Sequence, residues 1–201
     1  MFLGPYTASL YSYFKIMIIV WITWTIGAGK GTIVDYLIQK KWFQHFSVRA
    51  FLIQEIEKRG MPVNRDSMVI VANDLRSTYG PAYIIEQLYE QAKISQKNTI
   101  IESIRALGEV EALKGKENFH LFAIDADPKI RYERAVLRWS ETDKVSYDEF
   151  INNEEREMNN TDPSKQNIAK CMQLADHVFT NNGTLEELHK QLEDVIHEFN
   201  M

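Results

Sequence analysis

The chain has 201 residues, 45% of them hydrophobic and 25% charged, an ordinary balance for a soluble protein and a length that suits one α/β domain with a full core. A formal net charge of −5 argues against a nucleic-acid binder, whose footprint is a basic face. Its single cysteine, Cys171, allows no internal disulfide and no C-x-x-C pair for zinc or redox chemistry, which fits a reducing, cytoplasmic setting.

In chain order, MFLGPYTASLYSYFK is aromatic and uncharged up to Lys15, with Gly4-Pro5 interrupting it. It lacks the basic start and clean apolar run of a signal peptide. Residues 1–16 therefore read as a disordered extension, or as a mis-set start with Met17 the alternative initiator. No apolar stretch approaches the roughly 18 residues of a membrane span. Ile16 to Ile22 is near-continuously apolar and β-branched, as a parallel strand buried on both faces should be. Lys30 to Lys41 is a helix with Ile33, Val34, Leu37 and Ile38 on one face. A short strand follows near His45 to Val48, then a helix from Arg49 to Lys58 ended by Gly60. Asp66 is expected to cap a helix reaching Ser77, and Pro81 to sit in the first turn of another reaching Ser95.

Thr99 to Ser103 and His120 to Asp125 are further strands, with Arg105 and Glu109 on the loop between them. Asp127 and Pro128 open a helix through Arg138. Residues 140–165 are so charged and polar that they suit a mobile flap. His177 to Thr180 is the last strand, Asn181-Asn182-Gly183 a turn, and Thr184 to Phe199 a closing helix. This alternation, without repeat or linker, predicts one α/β domain over 17–201, a three-layer, doubly wound, five-stranded parallel sheet. The five histidines, His45, His120, His177, His189 and His197, show no metal-ligand spacing.

Gly27-Ala28-Gly29-Lys30-Gly31-Thr32 lies between a strand and a helix. Glycines there let backbone N–H groups turn toward phosphate oxygens, the helix N-terminus adds its positive dipole end, and Lys30 reaches the β- and γ-phosphates. The plainer alternative is a glycine turn entering a helix. Two positions depart from the G-x-x-x-x-G-K-[ST] pattern: Trp24 stands at the first glycine, and Gly31 at the magnesium-binding hydroxyl, with Thr32 next.

The GKGT stretch resembles the loop of adenylate kinase and its nucleoside monophosphate kinase relatives, and Ile19 to Thr32 is similar to the opening of dephospho-CoA kinases. Ala175-Asp176-His177-Val178-Phe179, followed by Asn181-Asn182-Gly183-Thr184, resembles the ending of the latter family. The resemblance implies a P-loop NTPase fold of the nucleotide kinase type, with an acceptor-binding part at about 45–96 and a lid at about 138–165. It implies ATP and Mg²⁺ as cofactors, a small-molecule nucleotide as substrate, and no nucleic-acid or membrane partner. The implied activity is transfer of the γ-phosphate of ATP to a nucleotide-like acceptor, foremost a (deoxy)nucleoside monophosphate. Alternatives are dephospho-CoA kinase, with a ribose 3′-hydroxyl as acceptor, and a slow ATP-binding switch.

On this resemblance Gly27, Ala28, Gly29, Lys30, Gly31 and Thr32 cradle ATP, and Lys30 is catalytic. Thr32 and Glu102, the latter ending a strand where a cation between phosphates is reached, meet the magnesium. Ser47 and Arg49 match the monophosphate-kinase segment that meets the acceptor; Arg65, Arg76, Arg105 and Glu109 are further acceptor candidates. Arg131, Arg134 and Arg138 recur at i, i+3 and i+7, where P-loop kinases carry arginines that clamp the transferring phosphate. A salt-bridged helix face with Asp127 and Glu133 is the alternative. The aspartate-rich stretch that dephospho-CoA kinases carry after the second strand has no match, which favours a phosphate acceptor over a hydroxyl.

All four tryptophans, Trp21, Trp24, Trp42 and Trp139, fall where glycine makes better physical sense, at the loop or at helix ends. The chain has only 9 glycines in 201 residues, and four more would make 13, closer to the usual share of about 7%. The hypothesis is that these positions are UGA codons read as glycine; four genuine tryptophans on a divergent loop is the alternative. Reading the codons decides it, since one UGG among them removes the common cause.

Overall fold

The computed structural model describes residues 17–138, 146–160 and 165–199, the side chains of Arg65 and Arg138 excepted. The N-terminal extension, Trp139 and stretches 140–145 and 161–164 of the expected lid lie outside the described residues.

The β-branched run forms β1 (Ile19–Trp24), whose first five residues are buried. Around it lie β2 (Gln44–Ser47), β3 (Thr99–Glu102), β4 (Phe119–Asp125) and β5 (His177–Thr180). The sheet order is β2-β3-β1-β4-β5, and every pair is parallel. Parallel neighbours need long crossovers. These are made by α1 (Lys30–Lys41), α2 (Val48–Lys58), α3 (Arg65–Tyr79), α4 (Tyr83–Ser95), α5 (Leu107–Leu113), α6 (Pro128–Arg138), α7 (Tyr147–Met158) and α8 (Ile168–Gln173), with α9 (Leu185–Glu198) closing the chain.

Two cores result, one on each face of the sheet. Ile33 and Leu37 of α1 and Leu188, Leu192 and Ile196 of α9 pack on Val20, Ile22 and Phe122. On the other face α2 to α5 and α8 cover Ile19, Trp21 and Ile101. The molecule is thus the expected three-layer, doubly wound parallel sheet. Strand order reverses about β1, so the crevice that such sheets offer to ligands opens at the C-terminal end of β1, where the glycine loop begins. Among the described residues, no helix is long and apolar enough to cross a membrane.

Several local expectations are corrected. Asn64, not Asp66, caps α3, its Oδ1 accepting from the Ser67 amide at 2.9 Å. Pro81 lies in the turn before α4 rather than in its first turn. Helix α5 was not anticipated, because Ala106 at its N-cap gives no capping signal. The two amides just ahead of the helix are served from inside it, by Glu109 Oε2, which accepts from Arg105 (3.0 Å) and Ala106 (3.2 Å). The expected flap holds helix α7, started by a capping box between Ser146 and Glu149. Its Phe150 and Glu154 are buried, and Tyr132 of α6 stacks edge-on to Tyr147 and Phe150, so α7 is packed against α6. Trp42 follows α1 at φ 61° and ψ 30°, the left-handed conformation that favours glycine at a helix C-terminus, and its side chain is 84% exposed.

Candidate functional site

Gly27 (φ 82°) and Gly29 (φ 97°) hold the loop in left-handed backbone, which turns successive amides to one side. Both also sit too close to neighbours for a side chain. A Cβ on Gly27 would overlap the Arg131 carbonyl, whose carbon would lie 2.9 Å away, and one on Gly29 would overlap the Asn181 amide. The loop is held from behind. Buried Asn181, following β5, donates from Nδ2 to the Ala28 carbonyl at 2.8 Å, and the Thr25 hydroxyl donates to Asp125 at 2.6 Å. In front of the loop is a cleft of about 390 Å³ lined by Gly29, Lys30, Thr32, Trp24, Arg134 and Leu137.

Lys30 begins α1 and its ammonium forms an ion pair with Glu102 at the end of β3. Burial lowers its pKa, and the charge of Arg105 lowers it further. Both cations lie against Trp24: Lys30 Nζ is 4.7 Å and the Arg105 guanidinium 4.6 Å from its ring centroid. Beside them, His45 Nε2 is 3.4 Å from Glu102 Oε1, and burial together with Lys30 holds this imidazole below its ordinary pKa. No spacing marked His45; the available signal was its place two residues before Ser47 on a strand, which puts both on one side.

Trp24→Gly should bind ATP about tenfold more tightly than the parent by titration calorimetry. The indole stands at the cleft and holds Lys30 through a cation–π contact, worth roughly 0.5–2 kcal/mol, and about 1.4 kcal/mol is tenfold in affinity. An unchanged or weaker affinity would mean that the ring supports the cradle instead of crowding it.

The arginines of α6 do not act alike. Arg134 lines the cleft and donates to the Asn181 carbonyl at 2.9 Å. Arg131, expected beside it, is turned inward and only 3% exposed. Its guanidinium is committed to Glu154 through both Nη atoms, to the Ala126 carbonyl at 2.8 Å and to the Ile26 carbonyl at 3.2 Å. A spacing of three residues turns a helix only about 300°, and the carboxylate that captures Arg131 comes from α7. Arg131, expected to clamp the transferring phosphate, thus lies behind the loop and not in the lining of the cleft. The Arg138 side chain lies outside the described residues.

A second cleft, of about 490 Å³, has Arg76, Ser103, Arg105, Glu109, Arg156 and Glu157 in its lining. Arg105 Nη1 bonds Glu157 at 3.0 Å and Gln166 at 3.2 Å. Glu109 lines the cleft from α5, not from a loop, and is 8% exposed and occupied with backbone amides. Burial raises its pKa. Ser103 stands at φ 90°, a strained conformation of the kind that concentrates at functional sites. Ser47 caps α2 by accepting from the Ala50 amide at 3.1 Å, and Arg49 lies exposed against the Met68 sulfur; neither lines this cleft. The Arg65 side chain is outside the described residues. Arg156 and Glu157 were missed because they sit in the stretch read as a flap.

The five-stranded parallel sheet with its glycine loop is a fold of the P-loop kinase kind. The chain resembles the solved structures of TT1252 from Thermus thermophilus (TM-score 0.61, 20% identity, 92% of this chain and 98% of that one), shikimate kinase from Bacteroides thetaiotaomicron (0.53, 13%, 92% and 99%) and dephospho-CoA kinase from Campylobacter jejuni (0.51, 14%, 90% and 96%). No family model matches it. Its sequence is 31% identical over 183 residues to a UPF0200 protein of Methanococcus vannielii, covering 89% of this chain and 93% of that one. It is 30% identical over 181 residues to a UPF0200 protein of Methanococcus maripaludis, covering 89% and 95%. The chain belongs to the UPF0200 family.

Proposed function

We propose that the chain is an ATP-dependent phosphotransferase that moves the γ-phosphate of ATP to a nucleotide-like small molecule, foremost a (deoxy)nucleoside monophosphate. One observation carries this reading: Lys30 and Trp24 of the glycine-cradle cleft are joined, through the contact of Arg105 with Trp24, to a second cleft lined by arginines. Phosphoryl transfer needs alignment and charge neutralisation more than covalent help, and this arrangement offers both. The loop amides and Lys30 would hold the triphosphate, with Arg134 beside it. Arg76, Arg105 and Arg156 would anchor an acceptor phosphate by planar, charge-assisted bonds.

Thr32 and Glu102 would hold magnesium, and their hydroxyl and carboxylate oxygens are the donors that ion prefers. Among the described residues, no group of three or more His, Cys, Asp or Glu side chains could hold a metal ion, so the ion would need phosphate oxygens and water to complete its shell. When bound, it would neutralise charge between the phosphates. Lys30, here paired with Glu102, would hold the β- and γ-phosphates.

Dephospho-CoA is the second reading, favoured by the imidazole of His45 3.4 Å from Glu102, since a hydroxyl acceptor calls for a nearby proton acceptor. A coupled ADP-release assay with Mg²⁺, run across nucleoside monophosphates and dephospho-CoA, tests both. Tight ATP binding with no turnover on any of them would replace the enzyme reading with a nucleotide-dependent switch.

A further inference from the structure

Arg131 joins parts of the molecule that the two clefts use separately. Its side chain reaches the Ile26 carbonyl at 3.2 Å, immediately before Gly27, and its own carbonyl is the group against which Gly27 packs. Side chain and backbone of one residue therefore shape the first turn of the phosphate loop. The same guanidinium grips Glu154 of α7 with both Nη atoms, in a pair that is 3% and 9% exposed. Three residues further along α7, Glu157 holds Arg105 at 3.0 Å, and Arg156 and Glu157 line the second cleft. Arg105 in turn lies on Trp24, whose ring also receives Lys30. The contacts form a closed ring: loop, Arg131, Glu154, α7, Glu157, Arg105, Trp24 and Lys30.

A buried ion pair is weak support for stability by itself, because desolvation offsets most of the attraction. What distinguishes this pair is that its donor also fixes a loop carbonyl. We infer that Arg131 and Glu154 are positioning residues, which hold the phosphate loop in its anion-binding conformation and lock it to the acceptor-side helix α7, without touching either substrate. The inference rests on the phosphate-loop reading.

Three variants test it. Glu154→Gln keeps the shape and loses the charge, and Arg131→Lys keeps the charge and loses the planar fork. Arg131→Met/Glu154→Leu removes both charges while filling the space with apolar groups. ATP affinity is measured by calorimetry with Mg²⁺, at a temperature where circular dichroism shows each variant folded. All three should bind ATP about tenfold more weakly than the parent. The apolar pair should remain as weak as the single variants even if it melts at or above the parent temperature. Parental affinity in that folded apolar pair would overturn the inference and leave the ion pair a packing feature. Failure of the parent chain to bind ATP at all would overturn the phosphate-loop reading and this inference together, a result distinct from equal binding by parent and variants.

Discussion

Gly27→Ala should lower folding stability by about 3 kcal/mol and remove ATP binding. Two costs add. A non-glycine residue at φ 82° carries a left-handed penalty of about 1–2 kcal/mol. The new methyl would also overlap the Arg131 carbonyl, and overpacking a tight interior costs about 1–3 kcal/mol. The obstructing atom is backbone, fixed by the bonds of its own side chain to Ala126, Ile26 and Glu154, so it cannot swing aside. Urea denaturation measures the loss, and Gly31→Ala is the control, since nothing lies within 4 Å of a Cβ at that position. Matching midpoints for the two variants would show that the loop relaxes freely and that its geometry is not set by Arg131.

Lys30→Ala should separate chemistry from folding. Removing one preorganised donor from a transferring group costs roughly 10²–10³ in rate, and a loss of that size is expected in the ADP-release assay with the acceptor that supports turnover. The fold should survive, because Lys30 is partly exposed and its pKa is already lowered, chiefly by desolvation. A thermal midpoint close to the parent's, with transfer lost, is the expected pair of results. Activity within tenfold of the parent would remove Lys30 from the phosphate role. The variant should also let His45 titrate at higher pH in an NMR series, since the Lys30 charge is one of the two causes that hold the imidazole low.

Much of the site was legible because its signals are local. A strand, two left-handed glycines, a lysine and a helix follow one another within Ile19 to Lys41, and each has a backbone reason for its residue. Glu102 was legible as the last residue of a strand at the ligand-binding edge of a parallel sheet. Trp42 was legible as a residue in a glycine's place, and it adopts left-handed backbone. Trp21 is different: it is fully buried in the core, and its indole nitrogen finds no hydrogen-bond partner among the described residues. Helix α5 was not legible, because its cap comes from Glu109 within the helix and leaves no Ser, Thr, Asp or Asn ahead of it. Helix α7 was hidden by its own charge, since one of its acids, Glu154, is buried against an arginine that no composition window connects to it.

By itself the sequence determined the five strands and six of the helices around them, the parallel sheet that follows from their alternation, and the glycine loop with Lys30. These depend on periodicity, capping and glycine freedom, which act over a few residues. Only the tertiary structure decided that Arg131 faces inward while Arg134 lines the cleft, that Arg156 and Glu157 reach the second cleft, and that His45 meets Glu102. Those pairings join residues 23, 52 or more positions apart. The physical reason is that a charged side chain goes where a partner at another place in the chain offsets its desolvation, and no local pattern carries the position of that partner.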